Sequence, residues 1–409
     1  MATDIQKVPS GYKQTEIGII PVDWDVRPLL TAVHIAKGQV DPKQEPYMSM
    51  VLVAPDHIER GTGRLLNKET AAEQKAISGK YVFERGDIVY SKIRPYLRKA
   101  VLVNFDGLCS ADMYPLKPAV DVSGRFMLAI ILGHRFSKYA ESVSIRSGMP
   151  KINREELAEY SFALPPLSEQ TAVASVLFDV DALIEKLETL IEKKKNIKQG
   201  AMQELLTGKR RLPGFKRTWE KTTIQALTER IIGGGTPSRA NPLYWGGKIP
   251  WVTVKDFASF NPLSSQETIT EEGLKRSASH LIPGGILIIA TRIALGNAVI
   301  YEVDVAINQD LKALFFTQKT DSRFMYYWFQ ANAKMIKELG SGSTVMGISL
   351  SDLRNVEILK PELEEQIGIV AVLSDMDIEI QELESQLTKY RNLKQGMMQV
   401  LLTGKIRLI

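Results

Sequence analysis

Two stretches of the chain carry the same hydrophobic pattern. Apolar residues fall at Val173, Leu177, Val180, Ile184, Leu187 and Ile191, alternating spacings of four and three. The alternation recurs through Ile369, Leu373, Met376, Ile380, Leu383, Leu387 and Tyr390. A four-three repeat held over three heptads predicts a helix that needs a partner helix along one seam. Charged flanks (Glu185, Lys186, Glu188, Glu192, Lys193) separate such a helix from an ordinary core helix. Each stretch opens after a proline-bearing turn and stops at Thr-Gly-Lys, with Gly208 or Gly404 placed as a left-handed cap. About 36 residues make a rod of roughly 50 Å.

The two stretches are copies. Residues 165–212 align without a gap on 361–408 at an offset of 196, with 25 of 48 positions identical. Gly11-Tyr12-Lys13 matches Gly214-Phe215-Lys216 upstream of each, and Trp24 matches Trp219. The expected order is a globular domain (1–160), a helix (161–212), a second globular domain (213–356) and a second helix (357–409). Short β-like runs such as KYVFERGDIVYSKI, KAVLVNF, KIPWVTV and GGILIIATRI are bounded by turn formers. An amphipathic stretch precedes each helix: FMLAIILGHRFSKYAES, then FMYYWFQANAKMIKELG. The fold class is therefore α/β (α+β), with two mixed-sheet domains. Outside the helices the copies diverge. RGDIVYSKIRPYLRKAV can be laid on PGGILIIATRIALGNAV at an offset of 198, which pairs Arg94 with Arg292 and, further on, Asp112 with Asp310.

Composition adds limits. A formal net charge of +5 suits a nucleic-acid binder without requiring one. The single cysteine, Cys109, excludes an internal disulfide framework and a Cys-rich zinc site, and the four histidines have no metal-ligand spacing. No signal-like segment opens the chain, and the longest apolar runs are too short for a bilayer. The expectation is a cytoplasmic protein with no metal and no membrane contact.

YKQTEIGIIPVDW, LPPLSEQ and KPELEEQ at the helix entries, the twofold KQG…LLTGK, and GGTPSRANPLYWGGKIPWVTVKD, in this order, resemble the specificity subunits of type I restriction–modification systems. The resemblance covers the whole chain. It implies that each globular part is a target-recognition domain and that the helices pair antiparallel as a coiled-coil spacer. It also implies partners: double-stranded DNA, two methyltransferase subunits and, in the full complex, restriction subunits. S-adenosylmethionine, ATP and Mg would then be bound by those partners, leaving this chain without a cofactor. Duplicated units joined by an antiparallel pair acquire a pseudo-two-fold axis. Domains of different sequence then read different half-sites about one turn (~34–36 Å) apart, so the target is bipartite and asymmetric.

Phosphate contacts need cations, hydroxyls or backbone N–H groups, and base reading needs bidentate side chains. In the first domain the candidates are Ser91, Lys92, Arg94, Tyr96, Arg98 and Lys99, with Arg146, Ser147 and Lys151 as a second group. In the second domain they are Thr236, Ser238, Arg239, Tyr244 and Lys248 beside Gly234 and Gly235, with Lys255, Arg292, Ser341, Ser343 and Thr344. Asn241-Pro242-Leu243-Tyr244 resembles the Asn-Pro-Pro-Tyr/Phe motif of adenine methyltransferases but lacks its second proline. Gly233-Gly234-Gly235-Thr236 lacks the Lys-Ser/Thr ending of a phosphate loop. Pro55-Asp56…Glu59 lacks the lysine of a nuclease motif. The chain is expected to be a non-catalytic subunit. The alternative is a coiled-coil scaffold between proteins that does not bind DNA.

Overall fold

A computed structural model describes residues 8–145, 148–340 and 347–408. Both heptad stretches are helices of 39 residues, Leu167–Leu205 and Leu363–Leu401, about 58 Å each. They run a few residues longer at the start than the heptads alone imply, and end before Thr-Gly-Lys. Gly208 and Gly404 are left-handed, with φ of 71° and 68°. Past each helix a backbone N–H returns to it, Arg210 to the Glu204 carbonyl at 3.2 Å and Ile406 to Val400 at 3.3 Å.

The chain divides into two compact units that do not follow its linear order. The first holds Met1–Glu188 and Ser385–Ile409, and the second Thr189–Glu384. Each unit therefore contains one globular domain, half of the first long helix and half of the second. Within each unit the two helices run antiparallel. In the first unit Lys394 meets Asp181 at 2.5 Å and Arg391 meets Glu188 at 2.7 Å. In the second, Lys198 meets Asp377 at 2.5 Å and Lys195 meets Glu384 at 2.6 Å. These are the same two contacts, carried by repeat-equivalent residues.

Val173, Leu177, Leu187, Ile191, Ile369, Leu373, Ile380 and Leu387 are buried, as seam positions should be. Val180, Ile184, Met376, Leu383 and Tyr390 are only half-buried. Part of the reason is that the Lys–Asp pairs take seam space beside Val180 and Met376. Within each unit buried apolar seam positions thus lie on both sides of the Lys–Asp pair, a pattern that fixes register at some cost in stability.

Each domain carries one antiparallel and one mixed sheet. In the first domain the antiparallel order is Val33–Ile35, Met113–Pro118, Ile88–Ser91, Ala100–Leu102. In the second it is Thr228–Gly233, Leu311–Phe316, Leu287–Ala290, Ala298–Ile300. The mixed sheets share a parallel pair, Leu52–Val53 with Gly107–Cys109 and Trp245–Val252 with Val305–Ile307. The second domain's mixed sheet has an added edge strand, Glu267–Ile269. A two-stranded stem closes each domain, Asp25–Pro28 with Ser161–Leu164 and Glu220–Thr223 with Glu357–Lys360. These stems lie across the expected boundaries at 160 and 356.

The amphipathic stretches form helices Gly124–Leu132 and His134–Val143, and Ser322–Ala331 and Ala333–Glu338. The first of each pair packs on the long helices. Phe126, Met127 and Ile130 share a core with Val173, Leu177 and Leu402, while Phe324, Met325 and Trp328 share one with Ile369, Leu373 and Leu206.

The glutamate–glutamine pair of each helix entry joins domain to helix. Gln170 gives its amide to the Pro165 and Asp121 carbonyls at 2.9 and 3.0 Å and accepts the Ser123 N–H at 2.8 Å. Gln366 does the same with Pro361, Lys319 and Asp321 at 2.9, 3.1 and 2.9 Å. The Trp24 indole donates to Glu169 at 2.9 Å, and Trp219 to Glu365 at 3.0 Å. The tryptophans thus anchor the domain entrance to the helix.

Candidate nucleic-acid interface

In the first domain Ile88–Ser91 leads into a shelf built by two adjacent segments. Arg94 and Arg98 flank a short turn, Pro95–Leu97, and both are left-handed, with φ of 48° and 47°. The Arg94 N–H donates to the Pro150 carbonyl at 2.8 Å, the Ile152 N–H donates to Lys92 at 2.9 Å, and Ile93 bridges Lys151. These bonds bring Arg94 and Lys151 together from residues far apart in sequence. Arg94, Tyr96 and Lys151 are exposed. The Lys92 ammonium lies 5.0 Å from the centre of the Tyr114 ring.

Two residues of this cluster are engaged by the fold. Ser91 is 2% exposed and its hydroxyl donates to the Ile93 carbonyl at 3.1 Å, so it faces the interior because it belongs to the strand. Lys99 donates to the Pro55 carbonyl at 2.6 Å. Arg146 and Ser147 lie outside the described residues.

The second domain repeats the shelf, and here the ungapped alignment is off by one. Leu116 and Leu314 are equivalent, since each faces the central strand at the same level; their partners are Ile88 and Leu287. That moves the offset from 198 to 199 through the strand and its following turn, after which a shorter loop restores it. Arg94 therefore corresponds to Ile293, which is also left-handed at φ 65°, and Arg292 corresponds to Ile93. Arg292 bridges Gly347 as Ile93 bridges Lys151. A β-branched residue with positive φ is a steric outlier, and such strain concentrates at functional sites. Ile293 is 67% exposed, so core packing does not explain it.

Around this second shelf the structure places exposed Thr236 and Arg292 on either side of residues 309–310. The Thr236 hydroxyl donates to Gln309 Oε1 at 2.7 Å, and the Arg292 guanidinium stands 3.6 Å from Asp310 Oδ1. Gln309 is exposed, carries the amide suited to adenine, and was missed. Its signal was its place directly before Asp310, the counterpart of Asp112. Ser341, Ser343 and Thr344 lie outside the described residues.

The remaining candidates divide. Lys248 and Lys255 are exposed. Arg239 stacks 3.7 Å over the Trp245 ring and pairs with Glu267, whose carboxyl it holds below the usual range. Exposed Ser238 accepts the Trp245 indole on its carbonyl at 3.1 Å, and Tyr244 is half-buried, its carbonyl taken by the Thr270 N–H at 3.0 Å. Trp251 is buried and makes an edge-on pair with Trp245. The glycines beside Thr236 serve the fold: a Cβ on Gly234 would sit 1.8 Å from the Ile307 carbonyl oxygen. Residues 242–244 form a turn capped by the Asn241 side chain, which accepts the Leu243 N–H at 3.1 Å. No group of three or more His, Cys, Asp or Glu among the described residues is arranged to hold a metal ion, and no helix there is long and apolar enough to cross a membrane.

One domain present twice, with the same shelf and different side chains on it, defines a class: proteins that carry two related but non-identical surfaces on one duplicated frame. Comparison with known proteins gives the family. Residues 21–198 and 216–390 each match the family described as Type I restriction modification DNA specificity domain. The specificity subunit of the Escherichia coli type I restriction enzyme EcoDI is 31% identical over 48% of this chain and 44% of that protein. The putative specificity subunit MjaX of Methanocaldococcus jannaschii is 26% identical over 97% of both. In fold, the chain is similar to one from a structure of type I R-M complex assembly, with TM-score 0.62, 21% identity and coverage of 95% and 99%. It is also similar to the M. genitalium S subunit, with TM-score 0.60, 14% identity and coverage of 93% and 96%. The chain belongs to the type I restriction–modification DNA specificity family, and its function is DNA sequence specificity.

Proposed function

We propose that each globular domain reads one half of a bipartite, asymmetric double-stranded DNA target. The paired long helices set the gap between the halves and carry two methyltransferase subunits, with restriction subunits joining in the full complex. The observation that carries this reading is the pair of shelves: Arg94 and Ile293 share one strained backbone conformation on a common frame and differ in side chain. A duplicated frame with divergent surfaces suits two different half-sites. The exposed cations Arg94, Lys151, Lys248, Lys255 and Arg292 supply phosphate attraction, while Arg94 and Gln309 carry side chains of the types that meet base edges bidentately.

On this reading the chain performs no chemistry, and S-adenosylmethionine, ATP and Mg belong to the partner subunits. The protein works in the cytoplasm, where its DNA is. The test is methylome sequencing of strains with and without this gene. Loss of one split, asymmetric motif supports the reading, and an unchanged methylome contradicts it. Crosslinking of S-adenosylmethionine to the isolated chain would overturn the assignment of the chemistry to partners.

A further inference from the structure

The first unit contains a cavity of about 860 Å³ between its globular domain and its two helix halves. The second unit shows what chemistry fits there. Helices Gly124–Leu132 and Ser322–Ala331 are equivalent, since Ser123 and Asp321 cap them and bind Gln170 and Gln366 alike. Counting along them puts Ala129 where the second unit has Tyr327. The Tyr327 ring lies 5.3 Å from the Lys198 ammonium, and its hydroxyl donates to Asp377 at 2.8 Å. Lys198 and Asp377 are themselves paired, and Lys394 and Asp181 form the same pair in the first unit. There, however, Ala129 offers no ring and no hydroxyl.

Ala129, Asp181 and Lys394 all line the cavity, with Leu128, Leu132 and Met398 among its apolar walls. Phe178 stands where the second unit has Ser374 but leaves the space open. It lies along the wall, 37% exposed, with the Arg125 guanidinium 4.6 Å over its ring, and it has no hydroxyl to offer Asp181. The cavity also carries Arg60, Arg98, Arg135 and Lys405, which make no ion pair among the described residues. A phenol ring with negative charge beside it matches this lining.

We propose that the cavity receives a tyrosine side chain from an acidic segment of a partner polypeptide, with its hydroxyl donating to Asp181 as that of Tyr327 does to Asp377. The ring lies between the apolar walls and the Lys394 ammonium, and flanking carboxylates meet the unpaired cations.

The test is calorimetric titration of the full chain with a blocked Glu-Glu-Tyr-Glu-Glu peptide, its phenylalanine analogue, and p-cresol as competitor. The tyrosine peptide should bind saturably at one site. The phenylalanine peptide should bind about tenfold more weakly, the cost of one hydrogen bond to a charged group. p-Cresol should displace both. Ala129→Tyr should fill the cavity from within and remove peptide binding, with the melting temperature kept or raised. No saturable binding, equal affinity of the two peptides, failure of p-cresol to compete, or undiminished binding to folded Ala129→Tyr would each overturn the proposal. Binding of p-cresol without binding of the peptide would overturn the polypeptide source.

Discussion

Arg407, near the end of the chain, forks onto Glu169 at the start of the first long helix, with Nε and Nη2 at 2.9 and 2.7 Å. The same carboxylate accepts the Trp24 indole. One buried glutamate thus ties the globular domain, the first helix and the chain's end within the first unit. Burial of Glu169 makes the loss of its partner expensive. Arg407→Ala should lower stability by roughly 3 kcal/mol, because it strands a buried charge. Arg211 forks onto Glu365 in the second unit, and Arg211→Ala should move that unit's melting in the same direction. Calorimetric melting checks both, and an unchanged profile would show that these pairs hold nothing.

Glycines within and just past the second long helix divide by context. A Cβ on Gly404 would sit 2.5 Å from the Pro21 ring, at a left-handed φ of 68°, so Gly404→Ala should destabilise by more than ~1 kcal/mol. Gly396 is mid-helix with nothing within 4 Å of such a Cβ, so Gly396→Ala should stabilise by about 1 kcal/mol. Denaturant titration should show opposite signs.

The shelf residues separate two kinds of contact. Arg94→Ala should weaken DNA binding. A lost phosphate contact would reduce the salt slope by about one with sequence preference kept, whereas a lost base contact would cost ~1–3 kcal/mol and relax one position. Arg292→Ala should weaken binding less, since Asp310 already offsets part of its charge at 3.6 Å. Salt-dependent binding measurements distinguish these outcomes.

If the helices measure the DNA, their length sets the gap. A heptad inserted after Glu188 and another after Glu384 leaves every ion pair inside each unit intact, because the units divide there. Each helix grows by ~10.5 Å, which widens the preferred gap by up to ~3 base pairs at about 3.4 Å each. That also rotates one half-site by roughly 100°, so affinity should drop while the half-site sequences stay the same. Methylation of targets with graded spacers is the readout. An active variant that keeps the original gap would show that the helices do not measure.

Much of the architecture was legible because duplication writes it twice. The offset of 196 and the heptad seam gave two long helices and two domains, since periodicity records which face is buried. The ionic pairs of the seam were written in Asp181, Lys198, Asp377 and Lys394, yet an apolar template passes over charges that find partners only across the interface. The compact units escaped sequence reading because half of each helix belongs to either one, a fact of pairing and not of order. In the candidate site, Arg94 and Arg292 looked equivalent because a shift of one residue before the strand is undone in the loop after it. Backbone pairing exposes that shift; similarity of residue type conceals it. Ser91 shows the converse: its type suited DNA, but its place in the strand turned it inward.

Independent reading of the two halves of a target by two domains on one frame underlies the proposed function. Its most direct measurement is methylome sequencing after residues 224–356 are exchanged for the equivalent part of a relative with another target. The exchange is cut inside the stem formed by Glu220–Thr223 and Glu357–Lys360, so both long helices are untouched. The predicted result is a hybrid motif in which one half-site changes while the other half-site and the gap remain. A motif in which both halves change, or neither does, would contradict the account.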